Sequence, residues 1–126
     1  MKVFGLDHYN LCGPRDLLES MRDFYVDVLG LEVGYRPPFD SFGFWLYAAD
    51  QPVLHLSESA RGDCVSGGRS SFDHAAFRCA DLDACTRRLG EHGIKYRTAR
   101  IPRLEWVQLF FNDPAGNGVE LNFPDG

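Results

Sequence analysis

Two phrases in the chain share one pattern: GLDHYNL at residues 5–11 and SSFDHAAF at residues 70–77. Each places a large apolar residue before Asp and His, with another large apolar residue three positions after the His. Such a mixture of apolar and β-prone residues reads as a strand, so the chain opens two strands in the same way. The text around each phrase repeats as well. KVFGLDHYNL is followed by CGPRD, in which Gly13 and Pro14 start a helix with proline at its first position. Leu17, Met21, Phe24 and Val28 then recur at helical spacing, and Gly30 suits a left-handed helix end. Three strand-like runs follow: LEVGYR, SFGFWLYA and PVLHLSE.

After the small and polar loop SARGDCVSGGRSS the order restarts. FDHAAFRC reads as a strand and Asp81 as a helix N-cap, while Leu82, Cys85 and Leu89 form an apolar stripe ending at Gly93. IKYRTA, WVQLFFN and GVELNF are again strands, the last two joined by the turn-rich DPAGNG. The expectation is an α+β fold of two tandem βαβββ modules, about 1–60 and 70–126, within one domain spanning 1–126. A period near 65 residues is too long for a solenoid repeat and marks a duplicated module.

Composition sets limits. A chain of 126 residues buries about two-thirds of its unfolded surface, enough for a core without staples. Its formal charge of −5 argues against a nucleic-acid surface, and no apolar run is long enough to span a bilayer. A cytoplasmic protein binding neither nucleic acid nor membrane is expected. Four cysteines without a C-x-x-C pair read as core or surface thiols rather than disulfides. One basic segment, IKYRTARIPR, carries Lys95, Arg97, Arg100 and Arg103; it reads as a solvated connection ahead of an anion site.

Strand parity supplies the chemistry. In PVLHLSE, Leu54 and Leu56 point one way and His55 the other; in GVELN, Glu120 is set against Val119 and Leu121 in the same manner. His55 follows His8 by 47 positions and Glu120 follows His74 by 46. Each module thus pairs a first-strand His with a last-strand donor. His8, His55, His74 and Glu120 form a coherent ligand set for one divalent ion, with zinc, nickel, iron(II), cobalt and manganese all suited to imidazole and carboxylate. His92 falls outside the pattern, in a last helical turn that favours a cation.

LDHYNL, MRDFYVDVLGLEV, FDHAAF and LFFNDPAGNGVELNF resemble the recurrent motifs of the vicinal oxygen chelate superfamily. That superfamily includes glyoxalase I, extradiol dioxygenases, fosfomycin-resistance proteins, methylmalonyl-CoA epimerase and bleomycin-binding proteins. The resemblance implies paired modules curled around a metal, in a homodimer where His8 and His55 of one chain meet His74 and Glu120 of the other. It implies a small-molecule substrate with vicinal oxygens and a glyoxalase-type reaction in which Glu120, or His55, moves the proton. Asn10, Trp45, Arg78, Arg103 and Trp106 are the expected substrate-binding residues. Two other functions stay open: an iron(II) extradiol-type dioxygenase, and a protein that sequesters an aromatic or anionic compound without turnover.

Overall fold

The computed structural model describes residues 1–59, 72–101 and 103–124. The loop expected over 60–71, Cys64 included, lies outside them. The chain forms two compact units, Met1–Ser70 and Ser71–Gly126.

The first unit runs β1 (Tyr9–Gly13), α1 (Arg15–Asp27), β2 (Glu32–Gly34), β3 (Gly43–Ala48) and β4 (Gln51–Glu58). Its sheet has the order β1-β4-β3-β2, with β1 parallel to β4 and the other pairings antiparallel. The second unit repeats this order with β5 (His74–Arg78), α2 (Leu82–Glu91), β6 (Arg97–Arg100), β7 (Val107–Asn112) and β8 (Gly118–Phe123). Its sheet is β5-β8-β7-β6, with β5 parallel to β8. These two mixed four-stranded sheets with two helices give the expected α+β class, both halves reading βαβββ.

The boundaries differ from the sequence reading in instructive places. The first strand begins at Tyr9, because the parallel ladder to β4 starts at the pair Tyr9–Leu54 and, among the described residues, no strand pairs with the backbone before it. Val3, Phe4 and Leu6 are consequently exposed. Pro14 sits one place earlier than expected, as the extended N-cap of α1 rather than its first helical residue. The buried stripe of α1 is Leu18, Met21, Tyr25 and Val28, so Leu17 and Phe24 flank the buried face. Gly30 takes the left-handed conformation at φ 77°, with the Leu31 N–H returning to the Tyr25 carbonyl. Asp81 caps α2 as expected, accepting from the Ala84 N–H at 3.0 Å.

Alternation decides the cores. Leu46, Leu54 and Leu56 are fully buried in the first unit, and Leu89, Val107, Leu109 and Val119 nearly so in the second. Cys12 is disulfide-bonded, against the expectation of four thiols, whereas Cys79 and Cys85 are free. Spacing in sequence carries no signal of that proximity, and a stable disulfide is unusual in a reducing cytosol. No helix among the described residues is long and apolar enough to cross a membrane.

Candidate metal centre

In the second unit the β5, β8, β7 and β6 registers place His74 opposite Gly118, Ala76 opposite Glu120, Phe110 opposite Glu120 and Arg97 opposite Phe110. These residues share one face, while Val119, Leu121 and Leu109 fill the core on the other. His74 Nε2 lies 2.8 Å from Glu120 Oε2. Both side chains are held from behind. Asp73 Oδ2 is 2.7 Å from His74 Nδ1, and Gln108 Nε2 donates to Glu120 Oε1 at 2.6 Å and to Asn122 Oδ1 at 3.1 Å. The hairpin before β8 sets the register that aims Glu120: Asp113 Oδ1 accepts from the Ala115 and Asn117 N–H groups. A slip of one residue would send Glu120 into the core.

Gly118 makes room for His74. A Cβ there would approach the Asp73 carbonyl oxygen to 2.4 Å and His74 Cβ to 2.8 Å. Gly118→Ala is therefore expected to push the Asp73–His74 backbone off β8, lowering the melting temperature and weakening metal uptake together. Differential scanning calorimetry and metal analysis on the same sample would read both, and an unshifted pair of values would refute the crowding argument.

The first unit contributes the other pair. His55 is buried in β4, and its ring is sandwiched between His8, at 3.7 Å and 18°, and Trp45, at 4.0 Å and 6°. His8 Nδ1 lies 2.6 Å from Asp7 Oδ1, repeating the Asp73–His74 arrangement. Each Asp-His phrase thus has one physical meaning. The Asp carboxylate accepts from Nδ1–H and leaves Nε2 as the outward nitrogen, the orientation used by metal-ligating histidines; in His74 that Nε2 carries a proton toward Glu120 Oε2, which a metal would have to displace. His55 Nε2 is buried without a hydrogen-bond partner among the described residues.

The Glyoxalase/Bleomycin resistance protein/Dioxygenase superfamily profile matches residues 5–121. The chain belongs to this superfamily. No curated protein sequence matches it. Among solved structures it is similar to a putative glyoxalase family protein from Bacillus anthracis, with 22% identity over 98% of this chain and 97% of that one and a TM-score of 0.77. It is also similar to a lactoylglutathione lyase from Agrobacterium tumefaciens, at 25% identity, 98% and 96% coverage and a TM-score of 0.68. An antibiotic binding protein from Streptomyces sp. CB03234 shares 22% identity over 99% of both chains, with a TM-score of 0.72.

The donors of this glyoxalase-superfamily chain can be tested for fit to a divalent ion. Bonds of about 2.0–2.2 Å at near-tetrahedral or octahedral angles put neighbouring donor atoms about 2.8–3.6 Å apart. The His74–Glu120 spacing of 2.8 Å meets that requirement as it stands. The orphaned Nε2 of His55 is a further open donor. His8 fits by chemistry but must turn: two nearly parallel rings stacked at 3.7 Å cannot both hold one ion in their planes. Among the described residues no group of three His, Cys, Asp or Glu side chains is placed to hold one ion.

The remaining expected site residues divide by unit. Asn10 Oδ1 accepts from Ser57 Oγ at 2.7 Å and pairs in register with His55, on the face that also carries Trp45. Arg78 lies over the Trp106 ring at 5.7 Å in the second unit. Arg103 lies beyond β6 at φ 74°, exposed. The sequence reading assigned no role to Asp7, Asp73 or Gln108, and Arg97 entered it only within the basic segment read as a solvated connection in preference to an anion site. The Asp residues were visible in the repeated Asp-His phrase; Gln108 and Arg97 required the strand registers.

His74 and His55 titrate in opposite directions. The Asp73 hydrogen bond raises the His74 pKa above its ordinary value; burial works against this and the Glu120 charge adds to it. Burial first, then the neighbouring His8, lowers the His55 pKa. In the metal-free protein His74 therefore contributes stability that is fully present below about pH 6.5 and lost as pH rises through its folded value. His55 contributes stability present above about pH 6.5 and lost as pH falls toward its depressed value. Metal must displace the His74 proton, so affinity is expected to fall on acidification, beginning above pH 6.5. Chelator competition across pH 5.5–8.5 would check this; an affinity flat from pH 8 to pH 6 would refute it.

Proposed function

We propose that the chain is a divalent-metal-dependent enzyme of glyoxalase type, a lyase or isomerase acting on a small substrate with vicinal oxygens. The observation that carries this reading is the 2.8 Å approach of His74 Nε2 to Glu120 Oε2, with Asp73 and Gln108 tethering the far side of each. The similarity to a lactoylglutathione lyase at 25% identity supports the reaction class. When bound, a zinc, nickel, iron(II), cobalt or manganese ion supplies Lewis acidity to adjacent substrate oxygens.

The chain's own groups would do the rest. Glu120 Oε2 takes a proton from the carbon beside a carbonyl and returns it to the neighbouring carbon, while Gln108 keeps Oε1 anchored. His55, kept neutral by burial, offers Nε2 as a ligand or second base. Trp45 and Asn10 line the first unit's share of the substrate surface, and Arg78, Arg103 and Trp106 the second's. Each unit offers one pair of donors, and a catalytic ion of this class takes three protein ligands, so the pairs must combine. In the homodimer we propose, His8 and His55 of one copy join His74 and Glu120 of the other.

A second reading has its own support. The His8–His55–Trp45 stack is a closed aromatic surface without metal, and one similar structure is an antibiotic binding protein. Metal analysis of the purified protein separates the two. Near-stoichiometric metal with loss of a methylglyoxal–thiol adduct upholds the enzyme, whereas oxygen uptake with catechols would replace it by a dioxygenase. No metal after reconstitution leaves the binding protein.

A further inference from the structure

The face that holds His74 and Glu120 continues into a cavity of about 520 Å³, whose walls include Asp73, His74, Arg97, Phe110, Asn112 and Gly118. That volume suits a small molecule. Among the described residues of its lining Arg97 is the one basic residue besides His74, in a protein of formal charge −5. The guanidinium lies 4.3 Å above the Phe110 ring, and the same ring meets the edge of His74 at 6.5 Å. Among the described residues the Arg97 guanidinium forms no ion pair and no hydrogen bond. A guanidinium parked on an aromatic face keeps its fork of N–H donors free in the plane, which is the geometry that grips a carboxylate or phosphate with two parallel bonds.

Register separates this arginine from its neighbours. Arg97 pairs with Phe110 and Phe110 with Glu120, so the three form a row across β6, β7 and β8. Two strand spacings of about 4.8 Å put Arg97 roughly 10 Å from Glu120 along the sheet, within the span of one small ligand. Arg100 pairs with Val107 and so belongs to the opposite face of the sheet. The basic segment read as a solvated connection therefore sends one cation, and not the others of β6, to the candidate centre.

We infer that Arg97, seated on Phe110, is an oxyanion subsite beside His74 and Glu120, and that the ligand of this site is a small molecule bearing a carboxylate or phospho group. The inference builds on the proposed metal site by naming the substrate class. Asp73 also borders the cavity, but its carboxylate is engaged by His74 Nδ1. The negative charge of Glu120 and Asp73 would turn an anion away without Arg97, so the guanidinium is what makes an anionic ligand tolerable there.

The test is binding, by calorimetry or NMR titration, of malonate and of inorganic phosphate to the full chain, metal-free and metal-loaded, with neutral malonamide as control. The parent protein should bind at least one anion and not malonamide. Arg97→Gln should weaken that binding about tenfold or more, Arg97→Lys should retain part of it, and Arg100→Gln should leave it unchanged. Malonate alone would assign a carboxylate substrate and phosphate alone a phospho group; either upholds the subsite. Equal affinity in Arg97→Gln, or malonamide binding as well as malonate, overturns it. Metal content measured on the same samples keeps the two ideas apart. Arg97-dependent binding to a protein that takes up no metal would sink the glyoxalase reading and leave the subsite standing. Full metal content with Arg97-independent binding would do the reverse.

Discussion

Glu120→Ala is expected to abolish metal binding at the proposed site and, in the metal-free form, to lower the His74 pKa part of the way, since the Asp73 hydrogen bond that raises it most is kept. Both effects have one origin. Glu120 is 7% exposed, so its carboxylate faces His74 through little water, and removing it deletes a donor 2.8 Å from Nε2 together with a charge that favours the imidazolium. Loss of an outer hydrogen-bonding partner at metal sites costs about 10–100-fold in affinity, and loss of a ligand should cost more. The fold should survive. Gln108 loses its bond to Glu120 but keeps the one to Asn122, and a single hydrogen bond contributes about 1 kcal/mol. Metal analysis, a circular-dichroism melt and an NMR titration of His74 would together read the result. Retained metal in a folded Glu120→Ala protein would remove this residue from the site. Glu120→Gln refines the outcome, since it keeps the shape while removing the charge that the proposed mechanism uses as its base.

How much of this was legible beforehand depends on which physical rule each residue obeys. The alternation in VLHLS and GVELN was sufficient to place His55 and Glu120 opposite the core leucines, because a strand has only two faces. The tandem βαβββ order was legible for the same reason: period and punctuation are local properties. What depended on partners was not legible. Residues 2–8 were read as part of a strand, yet no strand among the described residues pairs with them, and the ladder of β1 begins only at Tyr9. Leu17 and Leu18 both fit helical spacing, and only packing chooses Leu18 for the buried face. Gln108 becomes a positioning residue solely through the β7–β8 register, and the same accounting of faces distinguishes Arg97 from Arg100. The stack joins His8, which precedes β1, to Trp45 and His55 on the neighbouring strands β3 and β4, so no short window of residues contains it. Asp7 and Asp73 differ from these cases: the repeat displayed them, and their value lay in reading the phrase as a tautomer-setting pair rather than as a strand opening.

If the donors combine across a dimer, two defective chains should restore one site between them. The first chain would carry His8→Ala and His55→Ala, the second His74→Ala and Glu120→Ala, each with a different affinity tag. Neither homodimer can hold metal, because every shared site then lacks a full pair. In the purified mixed dimer one site receives both defective pairs, while the other receives His8 and His55 from the second chain and His74 and Glu120 from the first. That dimer should bind one ion where the parent binds two, and regain about half the parent's activity per dimer if the sites act independently. The symmetry of a two-fold assembly makes this result specific, since each contact is made twice and the substitutions fall on complementary halves. Were all four donors of a site drawn from one chain, each chain in the mixture would remain deficient and the metal content would stay at zero. Intact metal in either homodimer would show instead that one pair suffices, and would remove the other from the ligand set. The experiment thus reads the architecture of the site directly, through stoichiometry, without requiring the natural substrate.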